Sequence, residues 1–281
     1  MTLPVPTLDH VVVNVRDQMD LALITYQRLG FTMTPRGYHT LGSMNHLAMF
    51  GTDYLELISV DPNAAVPRAD VMQFPLGLNG LVFGSEDSAA SYAACAAADV
   101  PVTPPTEFSR LVTLPDGTRD ATFRTVHLAP GTIPAGRVYF CQHFTRDLVW
   151  RDEWRHHPNG VTGIARVIMA ATDPRAPAEI FARMFGADAI SEIRGGLRLI
   201  IGLTNLDIIT PAEVAEQFGD AAPDSAERRQ YMVGLTLRCR ALDRAASALI
   251  AGGIAITSQT DWRIVVPAAA AMGAVLEFRV T

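Results

Sequence analysis

A segment near the start of the chain, Leu8-Asp9-His10-Val11-Val12-Val13-Asn14-Val15-Arg16-Asp17, returns three more times in weakening form, at Leu78–Asp87, Ile164–Asp173 and Gly234–Asp243. In each copy an apolar run ends in an Asp that opens a helical segment, and the residue seven positions before that Asp is His10, Gly80, Arg166 or Thr236. Intervals of 70 residues separate His10 from Gly80 and Arg166 from Thr236, so the copies come in two pairs. Repetition at a fixed period constrains architecture more than any local propensity does, because each copy must fold into the same unit. Four similar modules, two per domain, are the expectation.

Each module reads β-α-β-β-β. In the first, Leu8–Val15 is rich in β-branched residues, and Asp17 is expected to cap a helix over Gln18–Leu29 that Gly30 ends. Strand candidates follow at Gly37–Leu41, Asn45–Phe50 and Tyr54–Val60, separated by glycine-containing turns. The second module runs from Leu78 through a helix at Ser88–Ala98 to strands near Phe108–Leu114, Ala121–Leu128 and Val138–Phe144. The third has its helix at Pro177–Phe185 and strands at Ala189–Ile193, Leu197–Gly202 and Asn205–Ile209; the fourth has its helix at Arg244–Ala251 and ends in Thr260–Val266 and Ala274–Val280. The pattern predicts an α+β protein of two tandem domains. The first spans residues 1–150 (modules 5–62 and 77–147) and the second 151–281 (modules 161–212 and 230–281), with Arg146–Gly160 as the linker.

Composition narrows the function classes. With 281 residues, 49% of them hydrophobic, the chain can fill two cores. Its net charge of −6 and lack of a basic run argue against a nucleic-acid surface. No apolar stretch approaches the roughly 18 residues of a membrane span, and the start lacks a signal-peptide layout, so a soluble cytoplasmic protein without membrane partners is expected. Cys95, Cys141 and Cys239 are spaced neither as a disulfide framework nor as a zinc knuckle. All 23 basic residues counted as Lys or Arg are arginine, which excludes Schiff-base chemistry on a side-chain amine and a P-loop grip on phosphate.

Leu8–Asp17 followed by Tyr54-Leu55-Glu56-Leu57-Ile58, and the closing Val265-Val266-Pro267 and Gly273-Ala274-Val275-Leu276-Glu277-Phe278, resemble the vicinal oxygen chelate superfamily, which includes glyoxalase I, bleomycin resistance proteins and extradiol dioxygenases. The region Arg119–Gly160, with Cys141-Gln142-His143-Phe144-Thr145 and Val149-Trp150-Arg151, resembles its glyoxalase-like subgroup of unassigned activity. The resemblance covers nearly the whole chain. It is specific for fold and much less so for reaction.

That resemblance implies paired modules curled into a cupped mixed sheet with helices outside, and a divalent ion (zinc, nickel, manganese or iron) held by inward His and Glu side chains. Its ligand positions fall here on His10, Glu56, Gly80 and Gln142. Strand alternation puts His10 on one face with Leu8 and Val12, and Glu56 with Tyr54 and Ile58. Gly80 offers no side chain and Gln142 only a neutral amide; a one-residue shift of register would turn His143 inward instead, and His46 is a further donor from a neighbouring strand. His10 could equally be a half-buried histidine satisfied by backbone or by Glu56, with no metal at all. Glu56, a carboxylate in an apolar strand, needs a partner or a raised pKa. His156 and His157, beside a turn signal, are expected to face solvent or the other domain.

In the second domain the matching positions are Arg166, Asp207, Thr236 and Glu277, which suggests an internal ion pair. Extradiol dioxygenases of four-module build carry their metal in the second domain, so the absence of His there counts against that activity. Two readings of different class remain for the first domain, with metal-free acid-base catalysis by His10 and Glu56 as a third. One is a small-molecule enzyme of lyase or isomerase type, with His10 and Glu56 catalytic and Gln142 or His143 completing a metal site. The other is a metal-free binder of the bleomycin-resistance type that holds an apolar ligand between walls such as Tyr54, Phe140 and Phe144. A homodimer is compatible with either.

Overall fold

The computed structural model describes residues 3–4, 6–66, 68–114 and 116–280; the expected domain and module limits at 1, 5 and 281 lie outside them. The first half contains β1 (Leu8–Arg16), α1 (Met19–Arg28), β2 (Gly37–His39), β3 (Ser43–Met49), β4 (Tyr54–Val60), α2 (Ala69–Gln73), β5 (Gly77–Gly84), α3 (Ser88–Ala97), β6 (Thr106–Leu114), β7 (Gly117–His127) and β8 (Arg137–His143). The second half contains β9 (Val161–Ala171), α4 (Arg175–Phe185), β10 (Ile190–Ile193), β11 (Gly196–Ile201), β12 (Thr204–Ile209), α5 (Pro211–Phe218), β13 (Gln230–Cys239), α6 (Leu242–Ala251), β14 (Ser258–Gln259), β15 (Arg263–Val266) and β16 (Val275–Val280). The fold is α+β, two tandem eight-stranded sheets with few helices, mostly outside. Among the described residues no helix is long and apolar enough to cross a membrane.

Each module pairs its first strand with its last in parallel, as β1 with β4 and β5 with β8. The two modules of a half then meet through antiparallel first strands, β1 with β5 and β9 with β13. The halves differ in closure. The N-terminal sheet closes into a barrel in the order β1-β4-β3-β2-β6-β7-β8-β5, sealed where His39 of β2 pairs with Arg110 of β6. The C-terminal sheet stays open, in the order β10-β11-β12-β9-β13-β16-β15-β14. The closing strand β2 is as short as its counterpart β10, with three residues against four, but its partner β6 has nine residues where β14 has two, so only the first half has a strand long enough to reach across to it.

Two expected details are corrected. Asp17 does not cap α1, whose N-cap is Gln18 with no side-chain cap; Asp87 does cap α3, accepting from Ala89 N–H and Ala90 N–H. His157 does not face solvent. It is buried, with Thr32 N–H donating to its Nδ1 (3.0 Å) and its Nε2 against Met49 O (2.8 Å). Since Nδ1 accepts, the ring is neutral with its proton on Nε2, and the histidine ties the linker to the back of the barrel.

The barrel wall is apolar on both faces. Val11, Val13, Leu55, Leu57 and Phe83 point out into a cluster that continues through Phe181, Phe185, Val167 and Phe278, so one core serves both halves. Helices α1 and α6 meet across it so closely that a Cβ on Gly252 would fall 1.8 Å from Arg28 O, and Arg28 Nε donates to Gly252 O at 2.6 Å. The inward face carries a separate cluster, including Val12, Leu47, Tyr54, Ile58, Val82, Phe123 and Tyr139, which surrounds the site.

Candidate active site in the N-terminal barrel

The strand that opens the chain departs from simple alternation. Leu8 is opposite Phe83 and His10 opposite Val82, so an extra residue is accommodated on β1 at Asp9. Such a bulge reverses the side-chain alternation locally. Leu8 therefore joins the outer core, not the face of His10 as alternation predicts, and Asp9 turns inward beside His10. Asp9 Oδ2 lies 2.6 Å from His10 Nδ1 and 3.0 Å from His143 Nε2. On the other side of the ring, His10 Nε2 is 3.2 Å from Tyr139 Oη and 3.6 Å from Glu56 Oε2. Tyr54 stacks on the imidazole with ring centroids 4.4 Å apart.

These groups are buried, which sets their charges. Burial alone would raise the Asp9 carboxyl, but the charge of His143 and hydrogen bonds from both histidines outweigh it and hold Asp9 below the ordinary carboxylate range. Glu56 is likewise held low: burial would raise it, but the neighbouring imidazoles of His10 and His39 and a 2.7 Å hydrogen bond from Asn45 Nδ2 overcome that desolvation. Both carboxylates are ionised at neutral pH. Burial lowers His39 and His127 to about 4, and raises the hydroxyls of Tyr54 and Tyr139 and the Cys141 thiol.

Register decides which expected residues share this space. Val12 pairs with Glu56 and with Gly80, and Val82 with Tyr139 and with His10, so the pseudo-twofold axis between β1 and β5 brings His10, Glu56, Gly80 and Tyr139 to the centre. The position expected for Gln142 is Tyr139. Gln142 itself turns outward, where its Oε1 accepts from Ser88 N–H (3.0 Å) and Ser88 Oγ–H (2.8 Å) at the start of α3, so it cannot be an inward ligand. His143 faces inward. His46 is on the opposite face of β3 from Asn45 and Leu47, held by Thr34 O at 2.7 Å, and is removed from the cup. Phe140 points into the shared outer core and Phe144 lies at the surface beneath Arg124, so of the three proposed aromatic walls Tyr54 alone lines the cup.

Two cavities adjoin. The inner one, about 100 Å³, is lined by His10, Glu56, Tyr139 and further side chains of the barrel interior. The outer one, about 760 Å³, lies between the halves and is lined by Asp9, His143 and Arg146 on one side and Ile201–Thr204 on the other. Cys141 borders both.

The central positions fit a divalent ion poorly, since Gly80 supplies no donor and Tyr139 keeps a strongly held proton. A neighbouring set fits better. Ligand atoms of Asp9, Cys141 and His143 all lie within 4.8 Å of one another, and this oxygen, sulfur and nitrogen set suits a first-row ion with an open position. His143 Nδ1 is buried without a partner.

The C-terminal cup has been filled. Arg166 donates to Thr236 Oγ1 (3.0 Å) and reaches Asp207 and Glu277 at 3.3 Å each. Asp207 is held further by Arg198, and Glu277 by Arg279 and the Thr236 hydroxyl.

Missed in the sequence were Asp9, hidden by the bulge, and Tyr139 and Arg110. The last had a readable signal, as the one charged member of the inward alternation Phe108-Arg110-Val112-Leu114.

Paired β-α-β-β-β modules around a cupped sheet are the fold of the vicinal oxygen chelate superfamily. Within it, a glyoxalase-like domain model matches residues 8–185, and the chain belongs to that glyoxalase-like family. No curated protein matches the sequence. Among solved structures, a hypothetical protein from Staphylococcus aureus superposes with a TM-score of 0.69 at 14% identity, covering 98% of this chain and 100% of that one. A mutant 4-hydroxymandelate synthase from Streptomyces coelicolor gives 0.59 at 14% identity, with 99% and 93% covered. A fusion of a xylose isomerase-like TIM barrel with 4-hydroxyphenylpyruvate dioxygenase gives 0.60 at 14%, with 100% of this chain and 51% of the other covered. At such identities the likeness is one of fold.

Proposed function

We propose that the N-terminal barrel is the active site of a small-molecule enzyme that moves a proton next to a substrate oxygen, as in lyase and isomerase reactions. The observation that carries this reading is the buried chain Asp9–His10–Glu56. Asp9 accepts from His10 Nδ1–H, which fixes the tautomer and leaves the Nε2 lone pair facing the inner cavity. The Tyr139 hydroxyl, which retains its proton, donates to Nε2 when no substrate is present. A substrate that displaces this contact meets an imidazole oriented by Asp9 at one nitrogen, with Glu56 Oε2 3.6 Å from the other. That is the logic by which a carboxylate orients and supports a catalytic imidazole. Tyr139 is then free to donate to the substrate oxygen on which charge develops.

Asp9, Cys141 and His143 would hold a divalent ion, and when bound it would supply Lewis-acid stabilisation of that oxygen. The base and the proton donor remain those of the chain.

The test is solvent exchange. In deuterium oxide, with a panel of neutral and anionic small carbonyl compounds, the parent protein is expected to exchange protons adjacent to the carbonyl. His10→Ala should reduce the rate at least about 100-fold, and Asp9→Asn by a comparable factor. Exchange that survives His10→Ala would overturn the assignment.

A second reading, ligand sequestration, is favoured by one feature: the outer cavity of about 760 Å³ has the size of a drug-like ligand site. Tight binding of an apolar compound with no chemical change in it would support that reading.

A further inference from the structure

Arg110 sits on the inward face of β6, 4% exposed, and lines the inner cavity with His10, Glu56 and Tyr139. It forms no ion pair among the described residues, and its Nη2 is buried with no hydrogen-bond partner. The other two arginines of the cavity are held by carboxylates or amides, although Nη2 of Arg137 is itself without a hydrogen-bond partner. Arg68 is bidentate to Asp70 at 2.6 and 2.5 Å, and Arg137 donates to Asn79 Oδ1 at 3.1 Å and lies 3.6 Å from Asp70. Glu56, the carboxylate facing Arg110 across the cup, is committed to Asn45 and His10. An unpaired guanidinium taken out of water costs several kcal/mol, and removing it in favour of an apolar side chain is often stabilising. A group retained at that cost, and aimed into a cavity, is an expectation about what enters the cavity.

We infer that the inner cavity recognises a short carboxylic acid, whose carboxylate pairs with Arg110 and whose apolar part rests on Leu47, Ile58 and Phe108. The planar fork of Arg110 matches the two oxygens of a carboxylate. The small volume, about 100 Å³, restricts the rest of the molecule to a few carbons. This places the anionic end on the β6 side of the cup, opposite the His10 side, so that a carbon near the carboxylate faces His10 Nε2. Burial lowers the Arg110 pKa and the charges of Tyr54 and Glu56 oppose that shift; a guanidinium, which proteins do not deprotonate, acts there as a fixed cation.

The inference rests on the N-terminal barrel being the site, and equilibrium binding separates the two claims. Acetate, propionate, butyrate and pyruvate, their neutral amides, and inorganic phosphate are titrated calorimetrically into the parent, Arg110→Met and Arg110→Lys proteins at constant ionic strength. Saturable binding of a carboxylate is expected, at least about 30-fold weaker for its amide and for Arg110→Met, as for loss of a buried charge partner. Arg110→Met should also melt no lower than the parent. Should that variant fail to fold, Arg110→Lys decides: at least about 10-fold weaker carboxylate binding supports the inference and unchanged binding overturns it. Equal affinity for acid and amide, or tighter binding of phosphate, overturns it as well. Carboxylate binding without proton exchange would retire the enzyme reading alone, and exchange of neutral ketones indifferent to Arg110 would retire this one alone.

Discussion

His39, His127 and His157 are each lowered to about 4 by burial, against about 6.5 in an unfolded chain. As pH falls through 6.5 the unfolded chain takes up these protons and the folded one does not until near 4, so stability drops across that window. Asp53 acts in the opposite sense. Burial pushes it up to about 7, although Ile164 N–H donates to it at 3.1 Å, so the folded form binds its proton first and gains stability as pH falls towards 4. Three protons against one leave a net of about two, at most about 3 kcal/mol per pH unit. Thermal melts at pH 7, 6 and 5 are expected to show a steadily falling Tm; a flat profile would show that these rings are not buried neutral. Metal analysis belongs to the same scale. An ion bound by Asp9, Cys141 and His143 should be lost from Cys141→Ser, whereas an ion held by His10 and Glu56 should persist. His10 stands at the repeated position of the opening strand, and the superfamily resemblance points to it and to Glu56 together; the fold brings the two into one cup. Asp9 was not legible, because alternation puts it on the outer face and only the bulge, a feature of pairing between distant strands, turns it inward.

Among the elements, the first strand of each module is the part most fully written in the sequence, since its β-branched run and its recurrence are local signals. What local signals omit is contact between elements. Gly80 reads as a lost ligand, yet a Cβ there would fall 2.6 Å from Val12 Cβ, so the crossing of β1 and β5 itself requires a residue without a side chain. Gly80→Ala is expected to destabilise the protein by about 1–3 kcal/mol in denaturant unfolding. The ambiguity at Gln142 and His143 has the same origin. A strand with polar residues at both alternations carries no internal sign of which face is inward, and Ser88, the first residue of α3, decides it by claiming Gln142. Helices α2 and α5 were not foreseen, being short segments between strands.

On the scale of the whole molecule the shared core is decisive. Because Phe83 packs on Phe181 and Phe185, and α1 on α6, neither half can expose its inner surface without exposing that of the other. Calorimetry is expected to give one cooperative unfolding transition, and two resolved transitions would contradict a common core. In the second half Arg166→Ala would leave Asp207 and Glu277 short of a partner and is expected to cost about 3 kcal/mol, with carboxylate binding to the first half unchanged. The filled C-terminal cup also says where sturdiness and activity compete. A cavity plugged by its own guanidinium has nothing left to give up, so substitutions that toughen that cup, away from the Ile201–Thr204 rim of the outer cavity, are expected to leave carboxylate binding by the barrel unchanged. The half that keeps its hollow is different: packing it with larger side chains would harden the protein and, on the proposed reading, close the site in the same step.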